Sequence, residues 1–195
     1  MAIPRHPRLS RGIVWFATLL CAATWLAATA REQGGSPGTL PETQAKFVLG
    51  FVSYTTWPDQ PAPKKGDKPL ARIIGVLGND FGALALEELV AARPAGTEQA
   101  ITVRRIRQTD DLEGCDVLLL GDGYDEGKWN AALNLLRDKP VLTVGAGRVF
   151  AERTGMIGLY LKDGFLRFAV NLKRVEASGI RLSSRMLRSA EIVED

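Results

Sequence analysis

Apolar positions along this chain fall into three successive patterns. The first is a single run from Gly12 to Ala28, broken only by Thr18 and Thr24, which follows Arg5, Arg8 and Arg11 and closes on Ala28-Thr29-Ala30. A basic start, an apolar run and a small-residue exit predict a secretory signal over residues 1–30, cleaved after Ala30. The alternative is an uncleaved inner-membrane anchor, since the run is near the ~17-residue lower limit of a spanning helix. A lipoprotein fits less well, because bulky Leu20 precedes Cys21. Residues 31–42, with Gly34-Gly35-Ser36-Pro37-Gly38, read as a flexible linker ahead of one domain over residues 43–195.

The second pattern alternates helical stripes with short continuous runs. Between Thr43 and Tyr54, Phe47, Val48, Phe51 and Val52 mark one face of a helix that Trp57-Pro58 ends. Gln60 to Pro69 is too polar and proline-rich for an element and reads as an exposed loop. Strands are predicted at Ala71 to Leu77, Ile101 to Ile106, Val117 to Leu120 and Val141 to Val144, with helices at Phe81 to Ala92 and Glu126 to Arg137. Continuous Val/Ile/Leu runs between helices predict a parallel sheet covered on both faces.

In the third pattern the runs shorten and alternate. Met156 to Leu161 and Phe165 to Val170 flank Lys162-Asp163-Gly164, where Asp-Gly supplies the positive φ of a tight hairpin. A helix over Leu172 to Ala177 then stops at Gly179. Ser183 or Ser184 caps a last helix that should run through Val193. The fold class is therefore α/β: a single domain with a mostly parallel, Rossmann-like sheet flanked by helices and a C-terminal β-hairpin.

Charge narrows the function. The chain holds 25 Lys+Arg and 22 Asp+Glu, and the signal carries three arginines and no acid, so the processed chain has 22 of each sign. The pI near 9.0 belongs to the precursor. Nucleic-acid binding loses its electrostatic basis. The signal also removes His6, the one histidine, and Cys21. A Ser-His-Asp hydrolase is excluded for want of a base, and no transition-metal site is expected, since one cysteine and no acidic motif of ligand spacing remain. No enzyme activity and no cofactor are expected. The remaining thiol, Cys115, opens a strand; it is either a half-buried structural residue or a redox candidate that pairs with another chain, as in a homodimer, or is oxidised.

Gly75, Gly78 and Gly82 bridge a strand and a helix, but the first two are three apart and Gly75 lies within the strand, so the dinucleotide fingerprint is absent. A tight turn with Asn79 or Asp80 capping the helix explains them better. Gly121-Asp122-Gly123 and Gly145-Ala146-Gly147 close other strands and could rim a ligand crevice. Asp110-Asp111 and Asp125-Glu126 read as turns and helix starts, and Arg104, Arg105 and Arg107 as the wet face or end of their strand. Arg181, Arg185 and Arg188 gather near the start of the last helix and form an anion-binding candidate, against a plain solvated face. Aromatic and arginine anchors dominate interfaces, which nominates Trp57, Phe165 and Arg167 as partner contacts; the competing reading makes Trp57 and Phe165 core.

Seven stretches run in a fixed order along the chain: Ala45-Lys46-Phe47 through Trp57-Pro58, Val76 through Gly82, Val103-Arg104-Arg105, Cys115 through Leu118, Pro140 through Val144, Phe165 through Asn171 and Gly179 through Leu187. In that order the chain resembles the YfiR/HmsC-like periplasmic family. The resemblance implies an exported regulator that binds the periplasmic domain of an inner-membrane diguanylate cyclase and restrains it, lowering cyclic-di-GMP and biofilm formation, with no membrane insertion of its own after cleavage. It also implies a cysteine pair in better-known members. Cys115 matches one of that pair, whereas the partner expected on the strand Ala71 to Leu77 is replaced by residues such as Ile74 and Gly75. The other function class is a periplasmic small-molecule or anion binder, or an enzyme, built on the glycine rim and the C-terminal arginines.

Overall fold

The computed structural model describes residues 39–58, 70–78, 82–94, 99–121 and 126–194. The signal segment and its cleavage site, the Gly34 to Gly38 spacer, the loop Gln60 to Pro69, and Asn79, Asp80, Asp122 and Asp125 lie outside the described residues.

The first helix, α1, runs Leu40–Ser53. It starts inside the segment expected to be linker because Thr39 and Glu42 form a capping box: Glu42 N donates to Thr39 Oγ1 at 3.5 Å, and Thr39 N donates to the Glu42 carboxylate at 3.1 Å. Ala45, Val48, Phe51 and Val52 are its buried face. After α1, Thr55–Thr56 form a short strand, β1, before Trp57-Pro58.

Seven strands make the main sheet. Its sequential members are β2 (Arg72–Leu77), β3 (Ile101–Ile106), β4 (Val117–Leu120), β5 (Leu142–Ala146), β6 (Ile157–Lys162), β7 (Phe165–Asn171) and, after the two-residue β8 (Arg181–Leu182), β9 (Glu191–Val193). Their spatial order is β3-β2-β4-β5-β6-β7-β9. The first five are mutually parallel, β7 is antiparallel to β6, and β9 is parallel to β7. β1 and β8 pair antiparallel as a separate two-stranded ladder. This is the expected α/β architecture with a mostly parallel sheet, because β2, β4 and β5 are buried almost throughout and need cover on both faces.

The larger core lies between one face of the sheet and α1, α2 (Ala83–Ala91), α5 (Leu172–Ala177) and α6 (Ser184–Leu187). The other face is closed by α3 (Glu126–Leu136), α4 (Arg148–Arg153) and a 3-10 turn at Thr109–Leu112. Burying one Leu or Ile in either core contributes ~1.5–3 kcal/mol.

Three further local details differ from the expectation. The N-cap of α2 is Gly82 at φ 62, without a side-chain cap bond, in place of Asn79 or Asp80. A Cβ there would come within 2.8 Å of the Pro41 carbonyl, so the close approach of α1 selects glycine. α4 was not expected; it is one and a half turns long, too short for a helical stripe to show. Ser183 caps α6 as expected, accepting from Met186 N at 3.3 Å, but the helix stops at Leu187. Residues expected to extend it form β9, since β-branched Ile192 and Val193 gain a full ladder beside Ala169–Asn171 and Val193 buries against Ala151 and Ala169.

The hairpin is as expected. Asp163 (φ 52) and Gly164 (φ 77) are both left-handed, the two-residue loop that matches strand twist.

Candidate functional site

The aromatic residues of α1 and β7 meet in one cluster. Phe47, Phe51 and Phe168 have ring centroids 5.1 to 6.1 Å apart, edge-on or tilted, the arrangement that ring quadrupoles favour. Beside them opens a groove of about 310 Å³ between α1, β7 and α6. Its floor is Phe47, Phe51, Leu166, Phe168 and Met186; Tyr54, Arg167, Arg185 and Ser189 stand around it, and no described lining residue is a carboxylate. Arg185 holds its guanidinium carbon 5.9 Å from the Tyr54 ring centroid.

Strand alternation builds the wall. Register pairs Leu159 with Phe168 and Leu161 with Leu166, and places Tyr160 opposite Arg167 and Lys162 opposite Phe165. Leu166 and Phe168 therefore share the α1 face, and Phe165 and Arg167 the opposite one. β9 covers β7 only at Ala169–Asn171, so the hairpin projects beyond it. Phe165 is 67% exposed and Leu161 57%. The Arg167 guanidinium carbon lies 6.0 Å from the Phe165 ring centroid. An apolar hollow with Arg185 at its margin can seat an apolar side chain flanked by an acid.

The nominated residues separate. Trp57 is 3% exposed and packs in the core, with the Arg72 guanidinium carbon 4.1 Å from its ring centroid. Arg72 in turn pairs with Asp116 at 2.5 Å, and Asp116 accepts from Ile73 N at 2.7 Å. Phe165 and Arg167 stay on the surface. Of the three C-terminal arginines, Arg185 reaches the groove, while Arg181 on β8 and Arg188 after α6 are exposed and share no partner among the described bonds. The single-turn α6 leaves them no long helix to gather around.

Cys115 is buried and unbridged. Arg104 Nη2 donates to the Glu113 carbonyl at 2.5 Å and approaches Cys115 Sγ at 3.1 Å; Arg105 pairs with Glu87 at 2.9 Å. Asp111 closes its turn by accepting from Arg107 N and Gln108 N. Among the described residues no group of three or more His, Cys, Asp or Glu could hold a metal, and no helix is long and apolar enough to cross a membrane.

At the other side of the hairpin, Glu191 on β9 accepts from the Tyr160 hydroxyl and from Arg148 Nε at 2.8 Å, and Arg148 also pairs with Glu152. The Tyr160 bond, then Arg148, holds the Glu191 carboxyl below its ordinary range. The same bond to Glu191 raises the Tyr160 phenol. Sequence reading missed both the groove and this network, because each joins residues distant in the chain; the Phe47/Phe51 spacing was the one local sign.

A family model described as YfiR/HmsC-like matches residues 41–191, from the first turn of α1 to the first residue of β9. The chain belongs to the YfiR/HmsC-like family. That family is one of periplasmic regulators that act with a membrane diguanylate cyclase. Every residue of the groove falls inside the matched segment. No curated protein matches this member. Among solved structures it is similar to the ABC domain in complex with L-Trp from Streptococcus pneumonia, at 11% identity and a TM-score of 0.49, over 79% of this chain and 60% of that one. It is also similar to a conserved domain protein from Vibrio cholerae O1 biovar eltor, at 14% identity and a TM-score of 0.45, over 78% of this chain and 60% of that one.

Proposed function

We propose that this protein is exported through residues 1–30, remains in the periplasm, and binds the periplasmic sensor domain of an inner-membrane diguanylate cyclase so as to hold the enzyme inactive, lowering cyclic-di-GMP and biofilm formation. The groove formed by Phe47, Phe51 and Phe168, together with Phe165 exposed on the opposite face of the same hairpin, is the observation that carries the reading. A protein that turned over a substrate would be expected to converge acids and bases on its cavity, whereas the described lining of this groove offers aromatic rings and the Arg185 guanidinium. Such anchors are where interface energy concentrates. Family membership supplies the class of partner.

In this reading an apolar side chain of the sensor domain fills the groove and a carboxylate beside it meets Arg185, while Phe165 and Arg167 make a second contact from the other face of the hairpin. Occupying the sensor domain restrains the cyclase by favouring its inactive arrangement, which requires only that the inactive arrangement bind better. The test is a deletion strain complemented with wild-type, Phe165→Ala or Arg185→Ala protein. Deletion should raise cyclic-di-GMP and surface attachment, wild type should restore both, and the two variants should restore them poorly at equal abundance. Unchanged cyclic-di-GMP on deletion, with the cyclases expressed, would reject the role.

A further inference from the structure

Three arginines from three elements line one cleft at the end of the sheet where β5 and β6 begin: Arg137 just past α3, Arg153 at the last position of α4, and Arg174 in α5. The cleft has a volume of about 400 Å³, within the ~300–1,000 Å³ span of small-molecule sites. Asn130, Asn134, Thr143 and Thr154 add neutral polar groups, and no described lining residue is a carboxylate. It shares no described lining residue with the aromatic groove.

Helix ends account for part of this charge. α3, α4 and α5 all finish here, and a helix C-terminus carries roughly half a negative charge, so the three together offset about one and a half guanidinium charges. Arg174 does this directly, donating from Nη2 to the Arg153 carbonyl at 3.0 Å. Arg137 donates instead to Asn134 Oδ1 at 2.8 Å, a neutral acceptor that cancels no charge. Arg137 and Arg153 leave the hollow with a surplus of positive charge.

The neutral groups point the same way. Asn134 spends its carbonyl oxygen on Arg137, which leaves its amide hydrogens to donate. Thr143, 4% exposed, accepts from Met156 N at 3.0 Å, which leaves its hydroxyl proton to donate. Donors and surplus positive charge thus converge where no described acid balances them.

We propose that this cleft binds a small oxyanion ligand of two or more negative charges, a phosphate ester or a polycarboxylate, with its acid groups on Arg137 and Arg153 and a further oxygen on the Asn134 amide and Thr143 hydroxyl. The site lies at the opposite end of the strands from the glycine turns that close β2, β4 and β5, and it does not rest on the cyclase reading.

Calorimetric titration of the purified protein with citrate, with inorganic phosphate, and with chloride at matched ionic strength tests this. Citrate or phosphate should bind saturably where chloride does not, and whichever binds tighter identifies the acid group. Amide shifts of Asn134 and Thr143 should move in the wild type, so the outcome does not depend on variants folding. Arg137→Gln and Arg153→Gln should each weaken binding roughly tenfold or more, while Arg105→Gln, outside the cleft, should not. Equal response to all three salts, or a double variant that binds like the parent, would overturn the proposal.

Discussion

A Cβ on Gly75 would stand 2.8 Å from the Sγ of Cys115 and 3.1 Å from Ile106 Cγ1. Of the strand expected to carry the family's second cysteine, Gly75 is therefore the residue that faces the thiol. Gly75→Ala should overpack this spot and cost ~1 to 3 kcal/mol. Adding Cys115→Ala removes the sulfur and should recover part of the loss, a non-additivity readable in paired denaturant melts. Gly75→Cys should close a bridge to Cys115 under oxidising conditions, leaving no thiol to label in the unfolded chain. Two labelled thiols would show that the pair cannot reach disulfide geometry.

Phe165 and Trp57 should respond oppositely to truncation. Trp57→Ala removes a buried ring stacked with Arg72 and should cost ~3 to 5 kcal/mol of stability. Phe165→Ala should leave the melting temperature nearly unchanged and weaken binding to the cyclase periplasmic domain by ~2 kcal/mol or more. Thermal melts alongside partner affinity separate the two.

Asp116 balances a charge that has little access to water. The Arg72 side chain is 8% exposed and that of Asp116 20%. Asp116→Asn leaves the guanidinium without its counter-charge and should destabilise by ~3 to 5 kcal/mol. Replacing both, as Arg72→Met with Asp116→Leu, should be far milder than the single change, since two charges then escape desolvation together. Chemical denaturation of the three proteins decides it.

The Glu191 network should shape both ends of the pH profile. The folded carboxyl titrates below its ordinary range, so its contribution is present above the unfolded carboxylate pKa and is lost as pH falls through the folded value. The Tyr160 phenol is raised, so its contribution is present below the unfolded phenol pKa and is lost as pH rises through the folded one. Glu191→Gln should flatten the acid limb of melting temperature against pH, and Tyr160→Phe the alkaline limb. Limbs that survive both changes would assign the dependence elsewhere.

The strands and the hairpin were legible in the residues alone. Val117 to Leu120 forms a strand as read, because a continuous aliphatic run can be satisfied only in a covered sheet, and Ile101 to Ile106 forms one at the sheet edge, where Ile101, Val103 and Ile106 are interspersed with polar positions that stay wet. Asp163-Gly164 fixed the β6/β7 turn through its backbone conformation, which is a local property. The lack of histidine in residues 31–195 likewise narrowed the chemistry without reference to the fold. The end of the chain was not legible: after Leu187 local propensity permits either helix or strand, and the choice fell to the open edge of β7, which offers Ile192 and Val193 a ladder no nearby residue supplies. The groove and the arginine cleft belong to the same class. Phe47 meets Phe168, and Arg137, Arg153 and Arg174 come to line one cleft, only after strand order has been set. Periodicity records which face of an element is buried, whereas the identity of what lies across from it depends on contacts far apart in sequence, and those are decided by packing.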